Sequence, residues 1–174
     1  MPRFLLGLVL ALVTMPAQAD PTARKAANLP VITHISGPEV VALLQDAGLE
    51  PSLATDDAGD PLVRAQAGKT GFAVIFYDCD EAHRCSFIQF RSFFTLRGDG
   101  PLPFVNEWNR ARRLGRAFVD ADGDPTLEHN LRLVGGVTPE WLKSQRDWFL
   151  LALRGFETEL RKAVRPQPAT PSAD

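Results

Sequence analysis

The chain has 174 residues, 45% hydrophobic and 23% charged, the composition of one globular domain and not of a disordered chain. Its 19 Lys and Arg stand against 21 Asp and Glu, a net charge of −2, so no field gathers a phosphate backbone and nucleic acid is not an expected partner. Two cysteines and three histidines exclude a disulfide-stapled miniprotein and a dense metal cluster.

Arg3 opens the chain with a positive charge, and Phe4 to Val13 is a short apolar run. Pro16 then breaks any helix before Ala17-Gln18-Ala19, whose small residues suit a signal peptidase. The run is about half the roughly 20 apolar residues that span a bilayer. Residues 1–19 are therefore expected to be a cleaved signal peptide, and the mature product to be periplasmic. No cysteine marks a lipid anchor, and no later segment is apolar enough to span a membrane. Residues 20–35 read as a flexible lead-in, polar and alanine-rich as far as Pro30.

Ser36-Gly37-Pro38-Glu39 starts a helix that shows Val40, Val41, Leu43 and Leu44 to the core and stops at Gly48. Ser52 to Asp56 and Leu62 to Ala67 are strands joined by the turn Asp57 to Pro61. Phe72 to Tyr77 is a β-branched and aromatic run. In Phe87 to Phe94, Ile88, Phe90 and Phe94 share one face with Ser92, and Gln89 and Arg91 share the other. These two runs read as a hairpin, with six of the eleven Phe placing the core there. A second helix runs from Pro101 to Arg113, with Leu102, Val105 and Trp108 at helical spacing. A hairpin follows, Arg116 to Val119 and Thr126 to Val134, around the turn Asp120 to Pro125. Thr138-Pro139-Glu140 starts a last helix that reaches Ala163. Residues 164–174 are Pro-rich and read as a disordered tail. The order α-β-β-β-β-α-β-β-α implies an α+β domain, an antiparallel sheet with helices packed on it, over residues 36–163.

Several groups of residues bear on chemistry. Cys79 and Cys85 lie at opposite ends of the hairpin loop, within reach of a disulfide that an oxidising compartment would close. Free thiols and a redox pair are the alternatives, and the spacing is not the CxxC of a redox motif. His83 and His129 beside these cysteines have ligand types that suit zinc, but C-x3-H-x-C matches no common finger. Asp120, Asp122 and Asp124 alternate as a calcium loop begins, yet Gly123 and Pro125 stand where such a loop does not allow them, and Asp-Gly between strands is a turn. Asp57 to Pro61 and Asp122 to Pro125 read as the same turn used twice. Arg110, Arg112, Arg113 and Arg116 crowd the end of the second helix. There they complement its dipole or form an anion-binding patch. No catalytic constellation, metal centre or cofactor motif is present in the sequence. In the last helix Trp141, Trp148, Phe149, Leu151, Leu153 and Phe156 spread apolar surface round the circumference, which predicts burial on every side, under other helices of the domain or, the favoured reading, in a homodimer or partner interface.

Taken together, Val40 to Leu49 with Asp56-Asp57-Ala58-Gly59-Asp60-Pro61, Phe76-Tyr77-Asp78-Cys79-Asp80 with Cys85 and Gln89-Phe90-Arg91, Val105 to Arg110, Arg116 to Asp120, and Gly135-Gly136-Val137-Thr138 resemble the YbjN family, described as bacterial sensory transduction regulators. The resemblance covers about residues 36–163. It implies a fold like the small type III secretion chaperones, often dimeric, with no catalytic residue or cofactor to carry over. The expected function is a non-catalytic, periplasmic protein-interaction, chaperone-like or regulatory module. Its partner is a protein or peptide, or a second copy. The alternative is an anion or small-ligand binder using the Arg110–Arg116 cluster.

Overall fold

The computed structural model describes residues 30–95 and 102–164. The expected signal peptide, the lead-in as far as residue 29, the Pro101 start of the second helix and the tail from residue 165 lie outside the described residues. Helix α1 (Gly37–Gln45) is followed by strands β1 (Ser52–Thr55), β2 (Pro61–Ala67), β3 (Thr70–Cys79) and β4 (Cys85–Phe93). Helix α2 (Leu102–Ala111), strands β5 (Arg116–Val119) and β6 (Pro125–Arg132) and helix α3 (Pro139–Ala163) complete the domain. The α+β class and element order are those read from the sequence.

Local chemistry sets the helix starts. At α1 the Ser36 backbone N–H and hydroxyl both donate to the Glu39 carboxylate, at 2.8 and 2.6 Å. Burial alone would raise the Glu39 pKa, but these bonds and the Arg84 guanidinium outweigh it and hold the carboxyl below its ordinary value. At α3 the Thr138 hydroxyl accepts from the Trp141 N–H at 3.1 Å, with Pro139 behind it.

All strand pairings are antiparallel, in the order β1-β2-β3-β4-β6-β5. After β4 the chain crosses through α2, lays β5 at the outer edge and returns β6 between β5 and β4. Asn109 of α2 seals that edge: its amide donates to the Ala117 carbonyl at 2.8 Å and accepts from the Ala117 N–H at 2.9 Å. Edge groups that would otherwise seek another strand are thereby used.

The register sorts side chains into two faces. Val63, Val74 and Phe90 align across β2, β3 and β4, and Phe76, Ile88 and Leu131 align across β3, β4 and β6. This face joins Val40 and Leu44 of α1, Val105 and Trp108 of α2 and Phe149, Leu153 and Phe156 of α3 in one core. Phe149 packs its ring 5.2 Å from Phe72 and 5.1 Å from Phe90. Phe156 sits 5.1 Å from Phe94 and Phe104 and 4.9 Å from Trp108. Buried Arg146 of α3 donates to the Leu43 carbonyl at 2.7 Å and to Asp46 at 2.9 Å, tying α3 to the C-terminal end of α1.

Two expectations need correction. The end of the stretch grouped with the lead-in is bound into the domain: Ile32 pairs with Val137 and Ile35 with Cys85 as antiparallel bridges, and Ile35 is 2% exposed. The polar composition as far as Pro30 obscures these two isoleucines, each with an apolar side chain to bury. Nor is α3 covered on all sides. Phe149, Leu153 and Phe156 are fully buried in the chain's own core, whereas Trp141, Trp148 and Leu151 remain exposed. The first three cannot form an interface, because the sheet and α2 already occupy their contacts.

Candidate binding surfaces

Three hairpin turns share one construction. Asp56 accepts the N–H groups of Ala58 and Asp60 through one carboxylate oxygen, Asp80 those of Ala82 and Arg84, and Asp120 those of Asp122 and Asp124, all at 2.9 to 3.1 Å. The fourth residue of each takes a left-handed backbone: Gly59 at φ 90°, His83 at 54° and Gly123 at 85°. Sequence reading found the first and third from their glycines and missed the second, where a histidine holds that position. Asp120 therefore spends its carboxylate on its own turn. Among the described residues no group of three or more His, Cys, Asp or Glu is placed to hold a metal ion. Cys79 and Cys85 are cross-strand neighbours joined by a disulfide, with Cα atoms 3.9 Å apart. His129 Nε2–H donates to the Gln145 side-chain oxygen at 3.0 Å, and burial pushes the imidazole below its ordinary value despite that bond.

The sheet face away from the helices carries a set of side chains that the sequence shows only in fragments. Register places Arg64, Ala73, Arg91, Glu128 and Arg116 in one row across five strands. Glu128 is 3% exposed although it points to the side without helices. Its oxygens accept from Arg116 Nε at 2.9 Å, Gln89 Nε2 at 3.1 Å and Asn130 Nδ2 at 3.1 Å. Gln89 also donates to Asn130 at 2.8 Å and accepts from the Tyr77 hydroxyl at 3.3 Å. The Arg91 guanidinium lies 4.8 Å from the Phe93 ring centre and 5.2 Å from that of Phe118, and its buried Nε has no hydrogen-bond partner. Phe93 is 53% exposed. Donors thus fill the Glu128 oxygens. Alternation in β4 pointed to Gln89 and Arg91 together. The matching alternation of Glu128, Asn130 and Arg132 was the signal that would have completed the face.

On the other side, α2 and α3 enclose an open groove of about 750 Å³. Trp108 and Leu114 line it from the α2 side, and Trp148, Leu151 and Gly155 from α3. The expected arginine patch divides here. Arg110 pairs with Glu107 at 2.6 Å, Arg112 pairs with Glu159 and stands 5.6 Å over the Trp108 ring, and Arg116 pairs with Glu128 at 2.7 Å on the sheet face. Arg113 is exposed at the groove rim with no ion pair among the described residues. The four arginines thus do not converge on one anion.

Residues 38–162 match a family model whose description reads "Putative bacterial sensory transduction regulator". No curated protein matches the chain. No helix among the described residues is long and apolar enough to cross a membrane.

Proposed function

Because the chain belongs to the YbjN family, we propose a non-catalytic role for it: a periplasmic protein-interaction module, regulatory or chaperone-like, whose open sheet face takes an acidic polypeptide segment. The observation that carries this reading is the row of Arg64, Arg91 and Arg116 against the single carboxylate of Glu128, flanked by the exposed ring of Phe93. An otherwise mildly acidic chain concentrates cations and aromatic surface on one uncovered face, which complements an acidic chain with apolar side chains. The Glu128, Gln89 and Asn130 side chains beneath are already hydrogen-bonded to one another, so docking would cost them little reorganisation. The disulfide and the residue 1–19 pattern support an oxidising compartment outside the cytoplasm.

Site-specific crosslinking in cells that export the full chain tests it. A benzophenone side chain at Phe93 should capture a polypeptide, and Arg64→Glu should abolish that capture while leaving the thermal midpoint unchanged. Equal capture from Lys143, on α3, would reject the sheet face as the contact surface.

A further inference from the structure

The geometry points to a second, independent binding site: the groove between α2 and α3 takes a small amphipathic organic anion, its alkyl or aryl body on the groove floor and its acid group on Arg113. Gly155 is the first observation. It lies inside a helix, where glycine weakens the element and where its φ is not one that demands glycine. A Cβ added there would stand 3.6 Å from Trp108 Cη2 and 4.0 Å from Cζ3, ordinary contact distances. Packing therefore does not require the missing side chain, and its absence makes the half-buried Gly155 backbone the groove floor, with the Trp108 ring directly beneath it. That floor is rigid, because Trp108 is itself 3% exposed and held edge-on by Phe156 at 4.9 Å.

The walls are the second observation. Trp148 and Leu151 are 48% and 58% exposed beside this floor, so apolar surface lines a concavity instead of standing alone on a convex helix. At about 750 Å³ the space falls within the usual range for small-ligand sites. Charge selects the ligand's head. Of the cations near the end of α2, Arg110, Arg112 and Arg116 are neutralised by carboxylates, and Arg113 at the rim has no ion pair among the described residues. An apolar cleft with that guanidinium at its edge fits a molecule with an apolar body and one acid group. A polar anion such as phosphate would leave the floor unused.

Fluorescence titration of the exported full-length product with anilinonaphthalene sulfonate, with dodecanoate as competitor and dodecanol as its neutral analogue, tests the site. One probe should bind per chain and be displaced by dodecanoate at concentrations about tenfold below those needed with dodecanol. Arg113→Ala should weaken dodecanoate about tenfold and leave dodecanol unchanged. Gly155→Leu should fill the floor and weaken both more than tenfold. If that variant fails to fold, Trp148→Ala, which removes a half-exposed wall, should weaken both in the same way. Binding that survives Gly155→Leu and Trp148→Ala in folded protein overturns the site, as does the absence of saturable binding. A dimer in light scattering that Gly155→Leu dissociates also overturns it, since a second copy would then occupy the groove.

Discussion

Arg116 and Glu128 face one another across the β5–β6 pair, 2.7 Å apart, with the guanidinium largely in solvent and the carboxylate almost wholly buried. The pair is asymmetric, so its two deletions should be asymmetric. Arg116→Ala leaves a buried charge with only the Gln89 and Asn130 amides as donors and should cost about 1–3 kcal/mol. Glu128→Gln keeps the shape and removes the charge, and should cost less. Urea denaturation of both variants and of the double variant measures this; additive losses would show that the two side chains do not act together.

The three aspartate turns predict a graded series. Asp56→Ala, Asp80→Ala and Asp120→Ala should each destabilise by about 1 kcal/mol, because two turn N–H groups lose their acceptor. At the left-handed fourth position the signs divide: Gly123→Ala should destabilise by about 1 kcal/mol, and His83→Gly should stabilise by several tenths. Thermal melts of the five variants test the shared construction, and a destabilised His83→Gly would count against it.

The disulfide holds more than its own hairpin. Cys85 bonds Cys79 covalently and exchanges two backbone hydrogen bonds of 2.9 Å with Ile35. Cys79→Ser with Cys85→Ser should cost about 2 kcal/mol by the loop-closure estimate for so short a loop. Amide exchange should quicken first at Ile35 and Cys85. The exported protein is expected to begin at Asp20 and to gain two hydrogen masses on reduction; two alkylatable thiols without reductant would rule the bridge out.

His129 sets a pH dependence. Burial favours its neutral form in the folded chain, so the unfolded chain binds the proton more readily, and stability should fall as pH drops below about 6.5. The carboxylates held low by their partners, among them Glu39 and Asp46, act in a separate window below about 4.5. His129→Gln should therefore flatten the melting temperature between pH 7 and pH 5.5 without altering the acid limb. A slope unchanged by that substitution would assign the effect to another group.

Element order was legible in the chain because its signals are local. Alternation in Phe87 to Phe94, the Thr138-Pro139 start of α3 and the Gly turns each depend on neighbours within a few residues. The placing of the apolar residues of α3 was half legible for the same reason. A helix wheel places Trp148, Phe149, Leu151 and Leu153 round α3, but which side meets the sheet depends on contacts from distant strands. The arginine cluster misled in a related way: proximity along the chain put four cations together, and their partners Glu107, Glu128 and Glu159 come from three different elements.

By itself, then, the sequence determined the α+β class and the order of the nine elements among the described residues, and it put Cys79 within reach of Cys85, all consequences of short-range periodicity and turn chemistry. Only the tertiary structure decided which residues share a surface. Strand order β4-β6-β5 brings Arg91, Glu128 and Arg116 into one row, and the packing of α2 on α3 sets Gly155 over Trp108. Those neighbours are far apart in the chain. They meet because burying one face of the sheet and one side of each helix leaves a single arrangement of the faces that remain.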